Sequence, residues 1–274
     1  MRVTVFGSAA LLCAAFLPSC IVPADAKANV TAGVDFANSY VHRGMIQNEE
    51  GVMQPQASIV IPAKRDGRII LRTWANMDLS NETGDAWLPD GHAGKFSQID
   101  YNLLFAQRVN ESLEVTGGFI NYNLPNGLEF PFGERGATNE FLIGATYQLP
   151  DKLLALQPRL ALHYDYDEVD GLYVNAGVSH AYEASEKVLV TSDLGLGWMD
   201  GNQTFWSYGL PDDISGMADL QLKVQGDYEF EPGTTFTGFL AYSRVMDSEL
   251  RDWFDLIQID ADQVVASLGV RWQF

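Results

Sequence analysis

From about residue 29 to its last residue, the chain alternates apolar and polar positions in segments of about 10 to 13 residues, with turn residues between them. The closing segment shows the pattern well: Val264, Ala266, Leu268, Val270, Trp272 and Phe274 share one face of a strand. Gln263, Ser267, Arg271 and Gln273 share the other, together with Val265 and Gly269. A period of two is what a strand shows when one face meets an apolar phase and the other meets water. In 218–230, Ala218, Leu220, Leu222, Val224, Gly226, Tyr228 and Phe230 form the apolar set, against Asp219, Gln221, Lys223, Gln225, Asp227 and Glu229. Segment 96–109 sets Ile99, Tyr101, Leu103, Phe105 and Val109 against Gln98, Asp100, Asn102 and Arg108. Segment 157–167 sets Leu160, Leu162, Tyr164 and Tyr166 against Arg159, His163, Asp165 and Asp167.

The whole pattern predicts about twelve strands, near 29–43, 53–62, 68–78, 96–109, 113–124, 137–149, 158–167, 171–182, 187–199, 217–230, 234–247 and 263–274. Their connections alternate in length. Lys64–Gly67, Asn110–Ser112, Glu183–Glu186 and Glu231–Gly233 are tight turns, whereas 79–95, 125–136, 200–216 and 248–262 are long. A longer turn around Pro150–Leu156 and a very short loop around Glu168–Gly171 depart from that rhythm. An even strand number puts both chain ends on the side of the short turns.

Residues 1–26 read as a secretory signal peptide: Arg2, an apolar run Val3–Leu17, and a small-x-small site at Pro23–Ala26. The barrel region is then 27–274. Leu17-Pro18-Ser19-Cys20 suggests a lipidated Cys20 as an alternative, although Pro18 and Ile21 fit that box poorly. Cys13 and Cys20, the two cysteines, both fall within the predicted signal, leaving no disulfide or thiolate metal site downstream. No later segment reaches the roughly 20 apolar residues of a transmembrane helix, so the chain spans lipid, if at all, as a closed barrel. A soluble sandwich or lipocalin-like barrel also alternates, with the apolar face turned inward. The export signal, the missing cysteines and the aromatic end favour the membrane barrel. Tyr40, Trp74, Tyr147, Tyr182, Trp198, Tyr228, Tyr242 and Trp272 near strand ends add the aromatics of an interfacial girdle. A net charge of −19 argues against nucleic-acid binding.

The terminal Trp272 and Phe274 resemble the closing strand of bacterial outer-membrane β-barrels, which the barrel-assembly machinery reads as a signal. Asn38-Ser39-Tyr40-Val41-His42-Arg43-Gly44-Met45-Ile46-Gln47 resembles the opening motif of the TorF-type porins of Gram-negative bacteria. Tyr40, Val41, Arg43, Gly44 and Gln47 match that motif; Asn38, Ser39 and His42 depart from it. Thr73-Trp74-Ala75-Asn76, Ile99-Asp100-Tyr101, 119–125 and Asn139-Glu140-Phe141 are similar to its following strands, with the likeness strongest over 28–150. The resemblance implies an all-β, transmembrane, up-and-down antiparallel barrel with periplasmic termini and a porin role. It further implies contact with outer-membrane lipid and lipopolysaccharide, and assembly through periplasmic chaperones and the barrel-assembly machinery.

The chain shows little sign of catalysis. Among its four histidines, His163 points inward by parity, but no serine shares its face within a turn, and Ser179 and His180 fall on opposite faces. Motifs for a hydrolase elbow, a zinc helix or a phosphate loop are missing. Asp165–Gly171 departs from the calcium-loop spacing at Val169 and Gly171, and reads as a solvated acidic hairpin, as does the cluster Asp247, Glu249, Asp252 and Asp255. No metal and no cofactor is expected.

The lumen carries the functional expectation. Arg43, Arg68, Arg72, Trp74, Asp100, Arg108, Asp193, Asp219, Lys223 and Asp227 point inward and are the candidate pore lining, with Asp35, Asp78, Arg159, Asp165 and Arg271 on the same face. Both signs are present. Such a lumen passes small hydrophilic solutes, with mild cation preference from the acidic balance, or pairs its charges and closes. In the second case the barrel is a non-conducting structural or surface-binding element acting through outer loops, and Trp206, Tyr208 and Trp253 become the binding candidates.

Overall fold

The computed structural model describes residues 27–82, 84, 91–126, 129–130, 133–134, 136–149, 156–210 and 214–274. The predicted signal 1–26 with both cysteines, and most of the turn at 150–156, lie outside the described residues.

Twelve strands close into one antiparallel barrel. In chain order they are β1 (Asn29–Ala37), β4 (Val52–Ala63), β5 (Gly67–Asp78), β6 (Phe96–Arg108), β7 (Leu113–Asn123), β10 (Ala137–Tyr147), β11 (Leu156–Asp165), β12 (Gly171–Ser185), β13 (Val188–Met199), β14 (Gly216–Glu231), β15 (Thr234–Val245) and β16 (Asp262–Gln273). Two small hairpins stand apart from the wall: β2 (Tyr40–His42) with β3 (Met45–Asn48), and β8 (Glu129–Phe130) with β9 (Gly133–Glu134). Two short helices, α1 (Gly201–Tyr208) and α2 (Ser248–Leu256), complete the described elements.

Each wall strand pairs with its neighbour in sequence, and β1 closes the ring by pairing with both β4 and β16. Closure runs from Thr31 opposite Gln273 to Ala37 opposite Ser267, and the Phe274 amide donates to the Val30 carbonyl at 2.9 Å. Closure removes the unpaired sheet edges that lipid cannot satisfy. The period-two pattern sorts as the sequence analysis anticipates. Tyr101, Leu103, Leu160, Leu162, Leu222, Val224, Leu240 and Leu268 stand exposed on the outer surface, Leu268 by 74%. An apolar belt of that extent is untenable in water and is what a bilayer requires. The two small hairpins and both helices gather at one end; the tight turns, Asn29 and Phe274 occupy the other.

Three expectations are corrected. The first strand stops at Ala37 instead of running to residue 43, because the chain leaves the wall at Asn38. Tyr40 consequently lies buried in the mouth and not in an interfacial girdle. Ala218, placed outward by parity, is fully buried: the register of β13 against β14 slips between Gly197 and Trp198, and Ala218 is the extra residue. A bulge reverses side-chain direction locally, so parity fails on one side of it.

Candidate functional site

The site is built around the β2–β3 hairpin. Its base is anchored by two asparagines. The Asn38 side chain accepts from the Ala266 amide (2.6 Å) and donates to the Val264 carbonyl (3.2 Å), continuing the ladder with β16 after β1 has ended. Asn48 donates to Asp78 Oδ1 (2.8 Å) and accepts from the Glu50 amide (2.7 Å). Between them the chain folds into the lumen. Arg43 and Gly44 form the tip, both at positive φ (49° and 84°), the pairing of angles that a tight hairpin of matching twist requires. A Cβ on Gly44 would lie 2.9 Å from the Cβ of Asp219, so the tip touches the far wall closely.

Arg43 reaches another part of the wall. Its guanidinium meets Glu140 of β10 twice, Nη1 to Oε1 and Nη2 to Oε2, each at 2.7 Å. Both side chains are almost fully buried (8% and 2% exposed). A bidentate, charge-assisted pair is the arrangement that offsets the cost of burying two charges. Tyr122 donates to Glu140 Oε2 (3.0 Å), His163 Nδ1 lies 3.2 Å from the same oxygen, and the guanidinium packs 4.4 Å over the Tyr173 ring. Tyr40 packs against Trp74 at a tilt of 48°, with centroids 5.3 Å apart, and donates to Gln98 (2.8 Å). His42, inside the hairpin, has its pKa lowered from 6.5 to about 3, first by burial and then by Arg43.

The opposite flank of the hairpin is apolar. Met45 and Ile46 are fully buried with Met199, Tyr208, Leu210, Ala218, Val245, Leu250 and Phe254. The two helices supply much of this core. Asp200 caps α1 by accepting from the Gln203 amide (2.9 Å), and Gly209 ends it in the left-handed region. Asp247 caps α2 through the amides of Glu249 and Leu250. Tyr208 donates to the Arg43 carbonyl (2.6 Å), and Trp253 Nε1 donates to the Tyr208 carbonyl (3.0 Å). These two aromatics hold loops down onto the hairpin, which withdraws them from the surface-binding role considered for them. Hairpin and helices together fill much of the outer mouth.

The expected lining residues divide into tiers. Near the mouth, Asp219 is fully buried, accepting from Tyr173 (3.2 Å) and Gln221 (2.7 Å); Asp100 accepts from Gln98 (2.8 Å). Further from the mouth the lumen charges pair along the wall. Arg68 meets Glu114 at 2.6 Å, Arg159 meets Asp193 (Nη2 to Oδ1, 2.8 Å), and Arg271 meets Asp35 through two bonds of 2.8 Å. Small residues let these side chains lie flat: a Cβ on Gly177 would sit 2.7 Å from the Arg159 guanidinium carbon. Lys223 lies 4.2 Å over Phe239, and Asp227 accepts from Gln225 at 3.0 Å. Arg72 and Arg108 face the lumen and are exposed. Arg43 belongs to the hairpin tip and not to the wall.

Glu114 and Glu140 are lumen residues beyond the expected lining, and strand parity assigns both inward once Arg68 and His163 are set inward. The two helices are likewise additions to the expected elements. Their signals are Asp200 and Gly209 bracketing α1, and Leu250, Trp253, Phe254 and Ile257 at helical spacing after Asp247. Asp165, read as part of an acidic hairpin, accepts from Thr138 Oγ1 (2.6 Å) and from the Asp167 and Val169 amides (3.0 and 3.2 Å), which shapes the short loop. Among the described residues no cluster of three metal-ligating side chains forms.

No protein-family model and no curated protein sequence matches the chain. Solved structures do. The COG4313 outer membrane channel from Pseudomonas putida F1 aligns over 93% of this chain and 98% of its own, at 10% identity and a TM-score of 0.53. The KdgM porin aligns over 90% and 99% at 9% identity and 0.46, and the NanC porin over 90% and 100% at 8% and 0.47. The first of these establishes the shared barrel fold.

Proposed function

We propose that this chain is an outer-membrane channel for passive diffusion of small hydrophilic solutes, with the β2–β3 hairpin setting its outer opening. The observation that carries the reading is the contrast along the lumen. Its wall bears polar and charged side chains, two of them exposed arginines, whereas the mouth is packed around Arg43 and Glu140. Twelve strands enclose more space than the eight-stranded barrels that side chains fill. The net charge of −19 supports a mild cation preference. The resemblance of 38–47 to the TorF-type porins supports the same assignment, as do the signal-like residues 1–26 and the terminal Trp272 and Phe274. On this reading the partners are outer-membrane lipid and lipopolysaccharide, the periplasmic chaperones, the barrel-assembly machinery and the solutes themselves.

A second reading follows from the same mouth. If hairpin, α1 and α2 stay docked, the barrel is closed and acts as a structural or surface-binding element. Single-channel recording of the refolded chain from Lys27 in a planar bilayer, under a salt gradient, separates the two. Discrete steps with a cation-favouring reversal potential support the channel. Silence from a folded, heat-modifiable barrel that persists after removal of residues 40–48 refutes it.

A further inference from the structure

We propose that the outer surface of β13–β16 binds lipid A, the phosphorylated lipid of the outer leaflet. Two arginines at the mouth end take a phosphate, and the apolar groove beneath them takes an acyl chain. The inference deepens the proposed reading by giving one of its partners a site. It rests on the outer-membrane placement in that reading and not on conduction.

The groove measures about 480 Å³ and is walled by outward side chains of four neighbouring strands: Leu194, Leu222, Val224, Leu240, Tyr242 and Val264. Leu240 and Val264 are more than half exposed. Inward residues that border it, such as Asp193 and Lys223, lie between two outward neighbours and offer it backbone. His180 and Ser192, register partners on β12 and β13, close its end toward the tight turns. In a bilayer an acyl chain fills such a groove, because an empty one forfeits dispersion contacts.

Strand register puts a cationic group directly above it. Leu222, Tyr242 and Val264 pair across β14, β15 and β16. The next outward row toward the mouth is Leu220, Arg244 and Asp262. Arg251 of α2 reaches the same carboxylate. Arg244 Nη1 lies 3.7 Å from Asp262 Oδ1, and Arg251 Nη2 lies 3.6 Å from Oδ2. Neither separation is a hydrogen bond, and the Tyr242 hydroxyl donates to Oδ1. Among the described residues Asp262 is the only carboxylate within 4 Å of either guanidinium, and neither guanidinium makes a hydrogen bond. Two cations, 43% and 32% exposed, thus share one anion with their N–H donors unspent.

Position decides the ligand. A surplus cation at the rim of an apolar belt faces lipid headgroups, and guanidinium binds phosphate through parallel N–H bonds. The mouth end is the outer-leaflet end, because short turns are periplasmic in an outer-membrane barrel. Lipid A carries phosphate monoesters, with a charge of about −1.5 to −2 at neutral pH, against a single charge on the diester of a glycerophospholipid. The higher charge suits two guanidiniums.

The test is native mass spectrometry of the refolded chain from Lys27 in a neutral polyoxyethylene detergent. EDTA is present, so that no divalent cation bridges Glu249, Asp252 or Asp255 of α2 to a phosphate. The probes are lipid A and phosphatidylglycerol. One lipid A per barrel is expected, held at least tenfold more tightly than phosphatidylglycerol and at least tenfold more weakly by Arg244→Gln/Arg251→Gln. Val224→Trp, which fills the groove and leaves both arginines in place, is expected to weaken binding as well. Heat-modifiable migration on a gel verifies that each variant is folded. Equal binding by parent and double variant, no lipid A on the parent, phosphatidylglycerol held as tightly, or binding only with added Mg²⁺ would each overturn the proposal. A two-barrel species that lipid A does not dissociate would overturn it too, since a second copy would then occupy the surface. A silent barrel that binds lipid A refutes the channel and leaves the site standing; a conducting barrel that binds none loses only the site.

Discussion

Replacing Glu140 with alanine tests the ion pair that joins the hairpin to the far wall. The substitution leaves the Arg43 guanidinium buried against Tyr173 and near His163, with its bidentate carboxylate gone. Removing one partner of such a pair costs about 3–5 kcal/mol. That cost falls on hairpin docking and not on the barrel, because β2 and β3 form a sheet of their own outside the wall's hydrogen-bond ladder. Burial of Met45 and Ile46 opposes release, at about 1.5–3 kcal/mol for each side chain. The two magnitudes are comparable, so the hairpin stays docked most of the time while its open population rises about a hundredfold to a few thousandfold. The chain from Lys27 has no cysteine, so Met45→Cys is a clean reporter of opening. Labelling by a water-soluble maleimide then reads the open fraction. The expected result is a rise of at least about a hundredfold in labelling rate for Glu140→Ala, with the unfolding temperature of the barrel on a gel unchanged. The double variant Arg43→Met/Glu140→Leu should label slowly again, because an apolar pair of similar volume substitutes for a buried ion pair. A labelling rate for Glu140→Ala within about threefold of the parent would refute the claim that this pair latches the hairpin.

Four further outcomes are expected. Acid should loosen the hairpin: His42 takes a proton with a pKa near 6.5 when free and only near 3 when docked, so docking is at full strength above pH 6.5 and weakens as pH falls toward 3. The slope is at most about 1.4 kcal/mol per pH unit, and a Met45→Cys labelling rate that stays flat from pH 7.5 to 4 would sink this reasoning. Gly197→Ala should lower the heat-modification temperature through overpacking of about 1–3 kcal/mol, since its methyl would overlap Asp219 and come within 2.7 Å of Tyr173; unaltered stability would show that this contact relaxes freely. Asp227→Asn and Arg72→Gln should move the reversal potential in opposite directions, toward anions and toward cations, whereas shifts of the same sign would argue against both side chains facing the ion path. Deleting Phe274, which is 78% exposed and bonded through its amide to Val30, should slow membrane assembly in cells while leaving the refolded barrel's unfolding temperature within about 2 °C; loss of stability without loss of assembly would point to a packing role instead.

Much of the wall was legible because its information is local. Leu222 and Val224 stand outward and Lys223 inward for the same reason in sequence and in structure: a strand turns successive side chains to opposite faces. The turn residues Lys64–Gly67 and Glu231–Gly233 mark the strand ends, and an even number of strands brings Thr31 opposite Gln273 of the closing strand. The site was legible only in part. Parity assigned Arg68, Asp193 and Asp219 to the lumen, but whether each is paired or buried depends on neighbours two strands away, as Arg159 meeting Asp193 across Gly177 illustrates. The short helices carried caps and, in α2, helical spacing, but eight or nine residues are too few to be stable without the core they complete.

The sequence by itself determined that this chain alternates into about twelve strands, because that pattern repeats every two residues and needs no distant partner to be read, whereas the closed barrel showed the apolar face outward. The tertiary structure alone decided that residues 40–48 leave the wall and cross the lumen. Asn38 and His42 on the apolar face and Val41 on the polar one weaken the alternation there, although Tyr40 and Arg43 keep its register. The chain departs because Arg43 finds Glu140 97 residues away and Met45 and Ile46 find a core drawn from both helices, contacts that exist only once the barrel has closed around them.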